Sequence, residues 1–394
     1  MQHVPLLVIG GGIGGLAVAN ALAKHGREVH LIEKESEFAE IGAGIQLAPN
    51  ASWALDRIGV LDDIKPYAVF PQRMVWMDAI SGEQLTSLDL GEKFVQRYGY
   101  RYFVMHRSDL LTVLLEHAQR SPLVTLETEK DVVEVEPRGK TAVVTCADGS
   151  AYEAGIVIGA DGLWSTVRKI VHDDGDPICS EYVAYRGAIP IEDVSAHAGL
   201  DNVMLWTGPQ MHLVQYPIRR GELYNQVAVF KSDRYKPGSH DWGTPEELDA
   251  KFNQGVELVR SALSRFWKNR RWPMFDRLPI AHWASGRVIL MGDAAHPMLQ
   301  YLAQGAAQAL EDAAVLADAL DAHDDVEAAF AAYQQARVER TSRVQTEARR
   351  WGDWWHQFPG EGLARRDAYL RARAPDDFSE SDWLYGYGER YAVT

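Results

Sequence analysis

The stretch that decides the fold is PLLVIGGGIGGLAVANALAKHGREVHLIE, Pro5 to Glu33. Pro5 to Ile9 is a short apolar run, GGGIGG is a tight turn, and the alanine-rich amphipathic segment Leu16 to His25 reads as a helix that ends at Gly26. A second run, Glu28 to Ile32, stops at Glu33. The unit is βαβ, and its crossover makes the two strands parallel neighbours in one sheet. Gly10, Gly12 and Gly15 satisfy GxGxxG between strand and helix. The first glycine permits the tight turn, the second leaves room for a pyrophosphate, and the third lets helix and strand approach. The helix N-terminus adds N–H groups and partial positive charge for phosphates. Glu33, at the end of the second strand, stands where an acidic side chain accepts hydrogen bonds from ribose hydroxyls. The plain alternative for Glu33 is a surface charge at a strand end.

The same region lacks any charged residue from Val4 to Ala23, a pattern shared with membrane spans and signal peptides. Its five glycines argue otherwise, because each costs about 1 kcal/mol relative to alanine in a helix interior. The leader Met1-Gln2-His3 also lacks the positive charge of a signal peptide. Neither membrane insertion nor export is expected.

The whole chain has 394 residues, 46% of them hydrophobic and 24% charged, which fits a folded protein of two interlocked domains. Forty lysines and arginines against 55 aspartates and glutamates give a net charge of −15, and no long basic stripe interrupts it, so nucleic acid is a poor partner. Cys146 and Cys179 are the only cysteines, too few for a disulfide framework or a zinc site, and no metal centre is expected. A reducing cytoplasm fits.

Outward from the glycine turn, Asn50 to Leu61 reads as a helix, Val75 to Leu90 as a hairpin turning at Ser81-Gly82, and Ser108 as the cap of a helix running to about Ser121. Alternating strands follow near Val132 to Val135 and Ala142 to Cys146, and Ile156 to Ile158 returns to a buried parallel strand. The segment Glu181 to Phe230 is strand-rich, Val288 to Met291 is again a buried strand, and Gln304 to Leu320 a long helix. The expected architecture is therefore α/β: a Rossmann-like cofactor domain in discontinuous pieces, residues 1–180 with a hairpin inserted near 70–105, then 281–345. Residues 181–280 would form a mostly antiparallel substrate sheet, and 346–394, dense in Trp, Tyr and Arg, a helical and irregular tail. That tail, with Trp351, Trp354 and Trp355, suits either the body of the protein or the contact of a homodimer.

Two further acidic turns belong with the first. IVIGADGLWSTVR, Ile156 to Arg168, places Asp161-Gly162 after a buried strand, with Ser165 and Arg168 one turn on; VILMGDAAHPM, Val288 to Met298, places Asp293 likewise. Taken singly these are ordinary strand-to-helix turns, but two of them at strand ends of one nucleotide-binding sheet argue for a site.

GxGxxG with a distal glutamate, DGxxSxxR and GDAAHP, in this order, resemble the flavin-dependent aromatic hydroxylases with a single dinucleotide-binding domain, a group that includes 4-hydroxybenzoate and salicylate hydroxylases. The resemblance spans about residues 4 to 350. It implies FAD on the first motif, Asp293 near the ribityl chain and pyrophosphate, and Asp161 linked to both FAD and the nicotinamide donor. Arg107, in HRSDL, resembles a further flavin contact, and EIGAGIQLAPNA, residues 40 to 51, the loop beside the isoalloxazine ring. Gly305 and Ala306 open the helix whose N–H groups would face the flavin's pyrimidine edge. No histidine, cysteine or tyrosine occupies the phosphate turn, so the FAD is expected to be non-covalent.

In MHLVQYP, period-two alternation sets His212, Val214 and Tyr216 on one face of a strand. His212 could take a proton from a phenol and Tyr216 could bond a carboxylate or hydroxyl; a core histidine beside a packing tyrosine is the bland alternative. HPMLQYLAQGA departs from the family form HPxxPxxGQG, with Gln300 in place of proline and Ala303 in place of the first glycine. Gln300, His212 and Tyr216 together resemble the substrate set of 3-hydroxybenzoate 6-hydroxylases. What the resemblance implies is a monooxygenase in which NADH or NADPH reduces FAD, O2 adds to give a hydroperoxide, and an electrophilic OH passes to the ring of a small phenolic acid, making gentisate from 3-hydroxybenzoate. Salicylate or 6-hydroxynicotinate are the alternative substrates. A flavin dehydrogenase inert to oxygen and a nucleotide-binding regulatory protein are the readings from other classes.

Overall fold

The first strand, Gln2–Ile9, is buried from Leu6 onward and sits in the middle of a parallel sheet. The computed structural model describes residues 1–39, 44–194, 199–266 and 268–390. The first strand is flanked by Ala151–Gly159 on one side and Val29–Ile32 on the other, both in parallel. Val288–Leu290 and Val124–Glu127 extend the parallel order outward, and an antiparallel hairpin, Val132–Arg138 with Thr141–Cys146, hangs on residues 151–154. The Asp161 and Asp293 turns thus leave the carboxyl ends of two adjacent strands, beside the glycine turn. That crevice is where open α/β sheets bind ligands.

The helix Ile13–Lys24 shows why the glycines stand where they do. A Cβ on Gly15 would lie 1.9 Å from the Gly10 carbonyl oxygen, so only glycine allows the helix to start this close to the strand. The helix ends in a Schellman arrangement: Gly26, at φ +76°, donates to Ala23 O at 2.9 Å, and Arg27 N–H reaches Leu22 O at 3.1 Å.

A second sheet of seven strands runs in the order Trp272–Asp276, Ile178–Pro190, Leu223–Lys231, Met211–Ile218, Asn202–Gly208, Arg73–Asp78, Gln84–Asp89. Here the expected organisation needs correction. The hairpin 73–89 is not an insertion decorating the cofactor region; it completes the second sheet. Arg73–Asp78 joins Asn202–Gly208 in parallel, the one parallel pair among otherwise antiparallel neighbours. Such a pairing between distant segments leaves no trace in local alternation.

Two smaller expectations also change. Ser108 does not cap its helix: the helix is Arg107–Arg120, and His106 is the cap, its Nδ1 accepting from Ser108 N–H at 3.3 Å and bonded to Ser108 Oγ at 2.6 Å. The boundary at 345 falls inside one 30-residue helix, Val326–Trp355, which has no proline and keeps good helix formers through Arg350. Beyond it, Glu361–Ala372 is helical and residues 373–388 return to the body. Phe378 and Tyr385 pack edge-on against Phe94 and Tyr98, Arg97 pairs with Asp382, and Arg340 donates to the carbonyls of Trp383 and Leu384 at 2.9 and 2.8 Å. Among the described residues no helix is long and apolar enough to cross a membrane.

Candidate active site

A cavity of about 900 Å³ runs from the glycine turn to the second sheet. At the turn, the position a Cβ would take on Gly12 has no protein atom within 4 Å, whereas Gly10 presses on Ala160 O and Gly15 on Gly10 itself. The chain therefore closes around two of the glycines and leaves the third open to the cavity. Glu33 lines this end; its carboxylate is fixed by Gly11 N–H at 2.6 Å and Glu35 N–H at 2.9 Å, which leaves acceptor positions toward the cavity. Gly15 itself does not line the cavity and acts beneath it.

Asp161 lines the cavity and also holds its own turn. Ser165 Oγ, Thr166 N–H and Val167 N–H donate to it at 2.5, 2.7 and 3.1 Å, while burial pushes its carboxyl above the ordinary value and these bonds pull it back. Ser165 in turn caps the next helix by accepting from Arg168 N–H at 2.8 Å. The buried Arg168 then joins two motifs: its Nη1 donates to the carbonyls of Ala294 and Ala295 at 2.9 and 2.7 Å, and Asp174 neutralises it. The DGxxSxxR turn and the GDAAHP turn are thereby one structure.

Asp293 opens onto the cavity with Arg107 nearby, yet protein packs around it closely enough that burial raises its carboxyl pKa, against the pull of His296 and Arg107. Behind it lies a network that sequence reasoning did not reach. His296 Nε2 bonds Asp312 at 2.6 Å, Gly292 N–H donates to the same oxygen at 2.8 Å, and Arg337 Nε reaches Asp312 at 2.7 Å. Glu311 pairs with Arg337 and, at 2.7 Å, with Arg340; Asn50 bridges Glu311 at 2.6 Å and Gln304 at 2.8 Å. Burial opposes the charge on Asp312, but His296 and Arg337 hold its pKa at about 2. The network fixes the start of the helix Gly305–Ala322, where Gly305 and Ala306 face the cavity and no side chain caps the N–H groups of the first turn. Those donors point a partial positive charge into the cavity.

At the far end the strand Met211–Ile218 presents His212, Val214 and Tyr216 to the cavity together, as its alternation predicts. His212 is nearly fully buried, its pKa lowered to about 3 by burial, and its Nδ1 lies 2.8 Å from His356 Nε2. Tyr216 is also buried, which raises its phenol pKa against the pull of Arg186. Gly44 crosses its ring so closely that a Cβ there would meet Tyr216 Cε2 at 2.5 Å, and Gly44 N–H donates to Asn225 at 2.7 Å. Residues 40–43, the first part of the loop read as lying beside the isoalloxazine ring, fall outside the described residues. Gln300 begins a single 3₁₀ turn and accepts from Arg186 Nη2 at 3.3 Å. The turn ends at Ala303, held at φ +51°, a left-handed conformation that glycine takes without strain.

Arg186, Tyr301 and His356 escaped the sequence reading at this end, and Trp355 was read only as part of the aromatic tail. Ala184 and Arg186 share the cavity face of their strand, so alternation within AYRG was a signal for the arginine. His356 ends the long helix and reaches His212 across 144 positions, and only the density of Trp beside it hinted at a packed site there.

The model of the FAD binding domain family matches residues 3–350. The chain is 38% identical to 3-hydroxybenzoate 6-hydroxylase 1 of Aquipseudomonas alcaligenes, covering 98% of both chains. It is 39% identical to the 3-hydroxybenzoate 6-hydroxylase of Polaromonas naphthalenivorans, covering 98% of this chain and 96% of that one. Among solved structures, a salicylate hydroxylase substrate complex superposes with a TM-score of 0.80 at 26% identity over the full length of both chains.

Proposed function

The chain belongs to the FAD binding domain family, and from that premise we propose that it hydroxylates 3-hydroxybenzoate para to its hydroxyl, giving gentisate, with NADH or NADPH and O2 as co-substrates. The residues fit FAD. The open position at Gly12 is a cradle no protein atom fills, Glu33 keeps acceptors for ribose, and the uncapped first turn at Gly305 and Ala306 offers donors to an electron-rich ring. Gly10, Gly15, Arg107, Asp161 and Asp293 complete the binding set in this reading. Bound FAD supplies the redox chemistry and oxygen activation, which no side chain can provide.

The observation that carries the substrate reading is the far wall of the cavity, where a cation, an amide, a phenol and a neutral imidazole converge: Arg186, Gln300, Tyr216 and His212. An aromatic acid needs a counter-charge, and Arg186 suits its carboxylate, with Tyr216 beside it. The hydroxyl needs a base, because phenolate activates the carbon para to it. His212 remains neutral at physiological pH and so can accept that proton. Gln300 can accept from a phenol and donate to a phenolate, matching a group that changes protonation. Trp355 and Tyr301, both largely buried, exclude water from this end.

The test is a panel of hydroxylated aromatic acids with the purified protein and each pyridine nucleotide. 3-Hydroxybenzoate should accelerate nucleotide oxidation and oxygen uptake, with gentisate formed in proportion. Stimulation by salicylate or 6-hydroxynicotinate with 3-hydroxybenzoate silent overturns the substrate. Nucleotide oxidation without oxygen consumption overturns the monooxygenase. A homodimer in the cytoplasm is the setting we infer for it.

A further inference from the structure

His212 is tied to His356 by more than one contact. Their ring centroids lie 5.1 Å apart with planes only 22° from parallel, and the 2.8 Å Nδ1 to Nε2 distance means the rings meet edge to edge. The backbone repeats the link, since Gln210 N–H donates to His356 O at 3.3 Å. Tyr182 lies flat against His356 at 4.7 Å, and Tyr301 stands edge-on to both imidazoles at 5.7 and 5.4 Å. Other groups facing the pair are Trp355, Asp353 near Tyr182, and Arg366, which donates to Trp355 O at 2.7 Å and is paired with Asp367. Both imidazoles are buried, and His356 Nδ1 has no hydrogen-bond partner.

Two neutral imidazoles joined nitrogen to nitrogen share one proton between them, so only two tautomeric arrangements exist. If His356 donates, His212 must carry its proton on Nε2 and meets a ligand as a donor. If His212 donates from Nδ1, its Nε2 is a lone pair available to the cavity, and His356 carries its own proton on Nδ1. The second arrangement alone makes His212 a base. Its charge would also be shared, since a proton taken at Nε2 can push the Nδ1 proton onward.

We propose that His356 is a positioning residue that holds His212 in the Nδ1–H tautomer and accepts that proton when the substrate hydroxyl is deprotonated. In the step, the substrate O–H bond breaks as an N–H bond forms at His212 Nε2. The His212 Nδ1–H bond breaks as one forms at His356 Nε2. One proton enters the pair, no electrons change hands, and the positive charge is shared between the two rings beside the phenolate oxygen. Burial lowers both imidazoles and Arg366 lowers His356 further, so a full cation rests on neither ring; it is shared between the two, which tyrosine rings flank, as the phenolate forms. The inference rests on the reading of His212 as the base, and its test separates the two.

Three forms of the FAD-loaded protein decide it: the parent, His356→Phe, which keeps a ring in the space, and His356→Gln, which can accept a hydrogen bond but not a proton. Nitrogen NMR of histidine-labelled parent protein should show His212 protonated at Nδ1 with coupling across to His356 Nε2. A parent His212 protonated at Nε2 overturns the proposal whatever the substrate. With 3-hydroxybenzoate as probe, absorbance of the bound phenol should report ionisation at a pH about one unit or more higher in both variants. Hydroxylation should fall about tenfold or more in both, with FAD retained. His356→Gln should recover the parent's affinity for the probe but not its pH profile. Ionisation and hydroxylation unchanged in both variants would make His356 structural. If the parent does not bind the probe, the substrate reading fails, and the NMR result alone judges the histidine pair.

Discussion

Behind the start of the helix Gly305–Ala322, Glu311, Asp312 and Arg337 are fully buried and charged; across the cavity, His212 and His356 are nearly as buried and neutral. The difference lies in what surrounds each group. Glu311 and Asp312 each receive two or more hydrogen bonds and a guanidinium, so the ionised form wins despite desolvation. The imidazoles face each other and aromatic rings, with no carboxylate bonded to either, so burial wins and the proton stays off. Fixed charges suit a scaffold that must not change during a reaction cycle. Neutral groups with one shared proton would suit a wall that meets a substrate of changing protonation, the role proposed for it.

The sharpest way to break this contrast is Arg337→Leu. It strands two buried carboxylates, and removing one partner of a buried ion pair costs about 3–5 kcal/mol. Thermal or urea unfolding should show a loss of that order, accompanied by weaker FAD retention because Gln304 and Gly292 lose their support. A loss below about 1 kcal/mol would mean that the carboxylates are held by their other bonds, and the two clusters would no longer differ in kind. Gln300→Ala should act on the other side with a smaller effect. Losing one hydrogen bond to a charged group removes about 1.5–3 kcal/mol, so productive hydroxylation should fall roughly ten- to a hundredfold with flavin reduction less affected. Equal gentisate yield per NAD(P)H in the parent and the alanine variant would detach Gln300 from substrate ionisation.

The two regions also differ in how far they could be read from the chain. Most requirements of the glycine turn are met within Pro5 to Glu33, where the turn, the close approach at Gly15, the Schellman end at Gly26 and the carboxylate at Glu33 lie in one βαβ unit; only the press of Gly10 on Ala160 comes from farther along the chain. His212 and Tyr216 were legible because strand alternation fixes which side chains share a face. His356 was not, because its role depends on where a 30-residue helix ends relative to a strand 144 positions earlier. Glu311 and Asp312 were hidden for another reason. In an alanine-rich helix two acidic residues read as the solvated face, and only the packing of Val326–Trp355 brings Arg337 and Arg340 over them. Likewise the hairpin 73–89 alternates correctly, but alternation does not name the partner strand, and Asn202–Gly208 lies far along the chain.

The effect that is smallest per step of the experiment, read one pH unit at a time, is the one that separates the clusters by pH. A histidine that titrates near 6.5 when unfolded and near 3 when folded stays neutral in the native state while the unfolded chain takes up a proton. Its contribution to stability is complete above about pH 6.5 and is lost as pH falls through that window, at about 1.4 kcal/mol per pH unit for each such histidine. Asp312 is also shifted downward, to about 2, so its contribution too is lost on acidification, but only below its unfolded value near 3.9. Asp161 and Asp293 are shifted upward by burial and act in the opposite sense, favouring the folded state slightly as pH drops toward 4. The informative quantity is therefore the difference between parent and His356→Phe in unfolding free energy between pH 6.5 and 4.5. The variant should lose less stability over that interval, because it has one fewer buried imidazole to keep neutral, and the gap between the two curves should keep widening below pH 4 until the folded-state imidazole itself takes up a proton. Curves that stay parallel from pH 7 to 4.5 would mean that His356 is protonated in the native state at mild acidity, and the neutral wall of the cavity would then be no different in kind from the charged one.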